Sequence, residues 1–319
     1  MNLEQLRGFV EIAETGHFTR AAARLHLAQP SLSRQITTLE SDLGVALFHR
    51  TRGNVGLTAA GERLLPLARR MLTDADTARS EMAELAGLRR GRVRLGATPT
   101  LCTSLVADVL TEFHRRHPGV DIHILERGSR SLIEALVEGA LDLALIVTSV
   151  SSGTARTVLE LEPVLSERLV VVSSAERPDP FTGQDVVTLR RLAEVPQIAF
   201  PRNYDLRTAV DAAFANAGLT PRVAVEGAEM DAALRFVQRG IGVAVVPAMT
   251  GIDHPQLRVV PLADPSLTRT VSLARRTDMA PTHASAALRE LIREVADRVA
   301  VPGSGTASQV RRVTPGATD

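Results

Sequence analysis

The chain has 319 residues, 45% hydrophobic and 23% charged, enough for two or three globular domains and a composition that excludes a disordered or fibrous protein. No apolar run of about 18 residues and no basic-then-apolar leader occurs, which reads as a cytoplasmic protein; the single cysteine, Cys102, excludes an internal disulfide or a cysteine-ligated zinc site. With a formal net charge of +1, any nucleic-acid contact must be local and not a property of the whole field.

From Leu3 to about Thr15, Leu6, Phe9, Val10 and Ala13 recur at helical spacing, which predicts an amphipathic helix with Asn2 as its N-cap. After Gly16 a short helix is expected from about Thr19 to His26. Gln29-Pro30-Ser31 then opens a third helix ending near Gly44, with proline in a first turn and glycine at the stop. A helical wheel sets Leu32, Ile36, Leu39 and Leu43 on one side of it. Pro30, Arg34, Thr37 and Ser41 lie opposite, with Ser31, Ser33 and Thr38 beside them. Short hydroxyl side chains around one arginine let a helix settle deep in a major groove, where arginine reads guanine and hydroxyls reach phosphates or bases. Taken alone, such a face is equally well a solvated surface.

Leu47 to Thr58 reads as a hairpin whose Gly53-Asn54 tip is flanked by Arg50 and Arg52, a wing able to lay arginines over the DNA backbone or minor groove. From Thr58 to about Leu88 a long helix carries two interleaved seven-residue series. These are Leu57, Leu64, Met71, Ala78, Leu85 and Gly61, Ala68, Ala75, Met82, the seam of a coiled coil. Pairing with a second copy is the favoured reading, and packing on the chain's own domain is the alternative. Gly87 to Gly91 reads as a hinge.

Beyond it strands are predicted at Val93–Gly96, Val120–Leu125, Leu143–Val147, Leu169–Ser173, Gln197–Phe200, Val223–Val225, Val243–Val246 and Val271–Ala274. They alternate with helices near Thr100–Arg116, Ser131–Glu138, Asp205–Ala217, Glu229–Arg239 and Thr282–Val299. That alternation predicts parallel sheets covered on both faces. The chain therefore divides into an all-α winged helix-turn-helix (1–58), a linker and dimerisation helix (59–88) and a two-lobed α/β domain (89–300). Its lobe 1 spans about 92–165 and 269–300, and its lobe 2 about 166–268. Residues 301–319, opening on Pro302-Gly303-Ser304-Gly305, read as a disordered tail.

Three runs now matter together: Phe18-Thr19-Arg20-Ala21-Ala22-Ala23-Arg24-Leu25; Ala28-Gln29-Pro30-Ser31-Leu32-Ser33-Arg34-Gln35-Ile36 with Leu39-Glu40; and Leu43-Gly44, Leu47-Phe48 and Leu57-Thr58-Ala59-Ala60-Gly61. They resemble the DNA-binding segment of LysR-type transcriptional regulators over about sixty residues. Gly139-Ala140-Leu141-Asp142-Leu143-Ala144 and Gly240-Ile241-Gly242-Val243-Ala244-Val245-Val246-Pro247 resemble signatures of that family's effector domain. The resemblance implies a linker-helix dimer, commonly assembled as a tetramer, and a C-terminal domain resembling periplasmic binding proteins. It also implies that Gln29, Pro30, Ser33 and Arg34 touch DNA and that the wing near Arg50 and Arg52 reaches the backbone or minor groove, with RNA polymerase a partner of an activator. Gly56 departs from the bulkier residue many relatives carry there. A two-fold dimer reads inverted half-sites, so the expected operator is an interrupted palindrome.

Open parallel sheets bind ligands beyond the carboxyl ends of their strands. The loops Thr98-Pro99-Thr100, Arg127-Gly128-Ser129 and Pro201-Arg202-Asn203 are thus expected to face one crevice, with Thr98, Pro99, Thr100, Ser129, Pro201 and Arg202 as the effector-binding set. Hydroxyls, helix amides and Arg202 suit a small anion such as a carboxylate. The plainer alternative is that Thr98, Thr100 and Ser129 only cap their helices.

Cys102 reads as a small buried residue in preference to an oxidant sensor. His114 and His117 read as a solvated helix end, and Gly240-Ile241-Gly242 leads into a strand and is no nucleotide loop. With no nucleophile elbow, metal-ligand cluster or phosphate loop, the sequence calls for no enzyme, cofactor or metal. Two alternatives stay open: a regulator whose C-terminal lobes only oligomerise, and, more remotely, an α/β enzyme.

Overall fold

Asn2 starts α1 (Leu3–Thr15) with a reciprocal cap: its side chain accepts from Gln5 N at 2.9 Å, and Gln5 Oε1 accepts from Asn2 N at 2.8 Å. The computed structural model describes residues 1–51, 54–85, 91–148, 158–252, 254–263, 267–300 and 309–313. After α2 (Phe18–Arg24) the chain turns through His26, at φ 54°, into α3 (Gln29–Leu43). Leu6, Phe9, Ile12, Leu32, Ile36 and Leu39, each at most 2% exposed, form the core of these three helices. Leu43 departs from its expected place in that core and is 38% exposed: it is the last residue of α3, where the chain turns away at Gly44.

β1 (Phe48–Thr51) and β2 (Asn54–Leu57) pair antiparallel, from Phe48↔Leu57 to Thr51↔Asn54. Asn54 is therefore a strand residue and not part of the tip. Thr58 opens α4 (Ala59–Leu85) by accepting from Gly61 N at 3.1 Å while donating to Ala46 O at 2.7 Å. A Cβ on Gly61 would collide with Leu47 O, so this glycine serves the chain's own close approach instead of a helix partner. Ala68 is fully buried, and Leu57, Leu64 and Met71 pack on the core of the first three helices. The first half of the expected dimer seam is thus consumed internally, whereas Leu67 (51% exposed) and Met82 (60%) face outward.

In the larger domain β3 (Gly91–Ala97) pairs in parallel with β4 (Val120–Glu126) and β5 (Leu143–Thr148). The connections are α5 (Pro99–Leu101), a π-helical turn (Cys102–Val106) and α6 (Ala107–Arg116), then α7 (Ser129–Val137). β6 (Leu159–Ser174) carries the chain into the second lobe. There α8 (Leu189–Ala193), β7 (Gln197–Ala199), α9 (Asp205–Asn216), β8 (Val223–Glu226), α10 (Met230–Gln238), β9 (Ala244–Pro247), α11 (Ala248–Ile252) and β10 (Leu257–Pro261) follow. β11 (Thr268–Arg276) and α12 (His283–Val299) return to the first lobe. The sheet is mixed, not wholly parallel: β11 lies antiparallel to both β5 and β6, and β9 and β10 lie antiparallel to the far end of β6. The reason is topological, since a chain that leaves one lobe along β6 runs back in the opposite direction along β11. One apolar cluster runs through both lobes, from Val93 and Phe113 to Phe181 and Phe214.

The expected tail is also corrected in part. Residues 310–312 form β12 (Val310–Arg312) on the edge of β6, with Val310 fully buried and Arg312 Nη1 donating to Val164 O at 2.7 Å. An apolar side chain and an open ladder edge anchor it; residues 301–308 and 314–319 lie outside the described residues. Among the described residues no helix is long and apolar enough to cross a membrane.

Candidate DNA interface and effector cleft

Because Leu32, Ile36 and Leu39 turn one side of α3 inward, the other side is presented to solvent. Gln29, Pro30, Ser31, Arg34, Thr37 and Thr38 are exposed there, and Ser33 is half-buried. Thr37 Oγ1 donates to Ser33 O and Thr38 Oγ1 to Arg34 O, each at 3.0 Å. These bonds spend the hydroxyl protons inside the helix and leave oxygen lone pairs to accept from outside. No side chain caps the N-terminus of α3, which leaves the positive end of its dipole available to a phosphate. The wing stands on the same domain, tied to the end of α1 by Val55 N donating to Gly16 O at 3.2 Å. Arg52 and the side chain of Arg50 lie outside the described residues. A Cβ on Gly56 would meet open space.

The linker helix docks on the first lobe through the Gly139-Ala140-Leu141-Asp142 turn. Thr73, buried, donates to Gly139 O at 2.6 Å, and Arg94 Nη1 reaches both Thr73 Oγ1 and Gly139 O at 3.0 Å while its other nitrogens pair with Asp142. Gly139 adopts φ 74°, with Arg70 and Arg276 close to where a Cβ would sit, so a side chain there is disfavoured on both counts. Arg70 adds an ion pair to Asp278 at 2.7 Å, and Arg69 pairs with Glu138. Arg276 and Arg70 hold the Asp278 carboxyl below its usual range. The expected hinge at residues 87–91 falls mostly outside the described residues.

Between the lobes lies a narrow open crevice lined by Thr98, Pro99, Thr100, Gly128, Val147, Tyr204, Asp205, Leu206 and Arg269. The first two predicted loops do meet here. The third contributes Tyr204 and Asp205 in place of Pro201 and Arg202: Arg202, its side chain 81% exposed, turns away to pair with Glu226 at 3.1 Å. Thr98, Thr100 and Ser129 are buried, yet none caps a helix through its side chain. Thr100 Oγ1 accepts from Arg269 Nη1 at 2.6 Å; Ser129 Oγ accepts from Val147 N at 2.9 Å and donates to Asp205 Oδ2 at 2.6 Å. Tyr204 stacks on Phe200 and donates to Glu229. Burial, then that carboxylate, pushes its phenol above the usual range.

Sequence reasoning missed Arg269 and its partner Glu167, which face each other across β11 and β6 where the chain passes between lobes. Arg269 Nε and Nη2 lie 2.9 and 2.8 Å from Glu167 Oε2, and Glu167 Oε1 accepts from Met249 N at 2.7 Å. The available signal was a strand position carrying arginine amid alternating residues, which equally describes a solvated strand face.

Cys102 is half-buried behind the same loop. Burial, with the Glu126 carboxylate second, pushes its thiol up to about 12, so it stays protonated and is a poor nucleophile. Thiol reagent at pH 8 should label the native chain about 1,000-fold more slowly than the chain unfolded in guanidinium; similar rates would contradict this placement. His117 packs its ring 4.7 Å from that of Phe113. Gly242 lets β9 start against Pro196 O, where a Cβ would clash, and Val243 N donates to that oxygen at 2.9 Å.

Residues 3–62 match the family described as bacterial regulatory helix-turn-helix protein, lysR family, and residues 86–297 match the LysR substrate binding domain. The chain is 32% identical over 276 residues to a probable nitrogen assimilation transcriptional activator of Synechococcus elongatus, covering 86% of this chain and 88% of that protein. It is 32% identical over 308 residues to the HTH-type transcriptional regulator IlvR of Caulobacter vibrioides, covering 95% and 100%. Among solved structures, a full-length OxyR variant from Pseudomonas aeruginosa matches with a TM-score of 0.69 at 27% identity, covering 93% of this chain and 94% of that one. The chain belongs to the LysR family: it is a DNA-binding transcriptional regulator with a helix-turn-helix head and an effector-binding domain.

Proposed function

We propose that this regulator binds an interrupted palindromic operator in the cytoplasm as a dimer or a dimer of dimers, and that a small anionic effector between its lobes switches it. The observation that carries the effector reading is the crevice itself: a buried arginine and two buried hydroxyls, those of Thr98 and Thr100, converge between two lobes joined by two strands, with Ser129 beside them. Such a site favours a carboxylate or similar oxyanion, because a guanidinium and hydroxyl donors bind the charged form most strongly. Of the predicted set, Thr98, Pro99, Thr100 and Ser129 remain in the proposal. Pro201 and Arg202 give way to Tyr204, Asp205 and Arg269.

The DNA reading rests on the exposed polar face of α3 with Gln29, Pro30, Ser31, Ser33, Arg34, Thr37 and Thr38, and on a wing carrying Arg50 and Arg52. Leu67, Ala78 and Met82 on the outward side of α4 supply the apolar surface for pairing. Effector binding that closes or rotates the lobes acts on the heads through the Arg94, Thr73 and Gly139 contacts, because these join the linker helix directly to the first lobe. RNA polymerase is a partner if the regulator activates.

Thermal unfolding of the full chain against a panel of small mono- and dicarboxylates tests the effector. At least one should raise the midpoint saturably, by about 2–4 °C per kcal/mol of binding energy gained. A panel without any shift, alongside normal operator binding, would favour lobes that only oligomerise.

A further inference from the structure

The end of α7 that an anionic effector would address is already occupied by a carboxylate of the chain. Asp205, first residue of α9 in the second lobe, places Oδ2 2.6 Å from Ser129 Oγ and 3.1 Å from Ser129 N, so it accepts both the hydroxyl and the first amide of α7 in the first lobe. The loops behind these residues are in close approach, since a Cβ on Gly128 would come 3.1 Å from Asn203 O. A carboxylate there also faces the positive end of two helices at once, α7 and its own α9. On the same crevice wall Arg269, 8% exposed, is likewise engaged from within: Nη2 pairs with Glu167 Oε2 at 2.8 Å, and Nη1 donates to Thr100 Oγ1 at 2.6 Å. Both groups of donors, Ser129 with the first α7 amide and the Arg269 guanidinium, are therefore met by carboxylates of the chain itself.

We propose that Asp205 is a built-in stand-in for the effector's carboxylate: it clasps the two lobes together, and an incoming anion must displace it from the hydroxyl and amide of Ser129. The inference rests on the anionic-effector reading above and adds to it a residue that sets affinity and specificity. Only a ligand whose anionic group beats a tethered carboxylate occupies the site, which discriminates against weakly held monoanions.

Chemical rescue tests this without knowing the natural effector. In the full chain, Asp205→Ala should lower the thermal midpoint of the effector domain by about 2–4 °C. Sodium acetate or formate should then restore most of the loss, saturably and beyond the effect of sodium chloride at equal ionic strength. The wild type should show no such gain from these two anions, and the Asp205→Ala, Ser129→Ala double variant none either. If Asp205→Ala does not fold, Asp205→Gly and Asp205→Asn serve: the first should be rescued and the second, which retains an acceptor oxygen, much less. Absence of rescue in the foldable variants, or equal rescue in the double variant, would overturn the proposal. Failure of the carboxylate panel on the wild type, with rescue intact, would instead count against the effector reading alone.

Discussion

Replacing Glu167 by Ala is expected to destabilise the effector domain by about 3–5 kcal/mol, the cost of leaving a buried charge uncompensated. Glu167 is fully buried and Arg269 is 8% exposed, so neither guanidinium nor carboxylate can turn to water when its partner is lost. The position magnifies the effect. The pair sits opposite itself across β6 and β11, the strands that leave and re-enter the first lobe. Through Met249 N it holds the start of α11 in the second lobe, and through Thr100 Oγ1 it holds α5 in the first. The expected readout is a fall in the thermal midpoint of roughly 10 °C. A Glu167→Leu, Arg269→Met double variant should lose much less, because two apolar side chains can replace an ion pair at small cost. A double variant as unstable as Glu167→Ala would mean that packing volume, and not the charge, matters there.

Much of the DNA-binding head was legible because its period has one explanation. Leu32, Ile36 and Leu39 recur on a helix too short and too amphipathic to be anything but one side of a small core. The linker helix shows the limit of the same signal. Leu57, Leu64 and Met71 carry a heptad spacing that states that a neighbour exists, but not whether it belongs to the same chain; the structure gives the neighbour as α1 and its companions. The first half of β6 was hidden for a different reason. Glu160, Glu162 and Pro163 interrupt the apolar pattern that marks a strand. The structure pairs Glu160 with Arg275, and Glu162 with Arg289 and Arg293, while Pro163 lies beside the register shift between Val271 and Ser272. Those partners lie more than a hundred residues away, beyond the reach of local pattern.

The cleft divides the same way. The rule that ligands gather beyond strand ends found the loops at Thr98 and Ser129, but along the third loop it stopped at Pro201 and Arg202. α9 begins at Asp205, and it is this first turn that reaches across to the other lobe. Arg202, in the most obvious loop position, has an acidic neighbour, Glu226, which turns it outward. Glu226 is itself held below the usual carboxylate range by Arg207 and Arg202.

Arg34→Ala is expected to cost about 1–3 kcal/mol at the cognate operator and to relax base preference, because Arg34 is the arginine on the exposed side of α3 between Ser31, Ser33, Thr37 and Thr38. A forked guanidinium at that place can bond two atoms of one guanine edge, which alanine cannot replace. Loss of a phosphate contact would look different. Arg52→Ala, on the wing, should weaken all sequences by a similar factor and reduce the salt dependence by about one unit of slope. The deciding measurement is a gel-shift titration of wild type and Arg34→Ala against the site recovered by selection from random duplexes and against a scrambled duplex. The wild-type site should be an interrupted palindrome, and the ratio of the two affinities should shrink by about 5- to 150-fold in Arg34→Ala; an unchanged ratio would contradict the placement of α3 in the major groove.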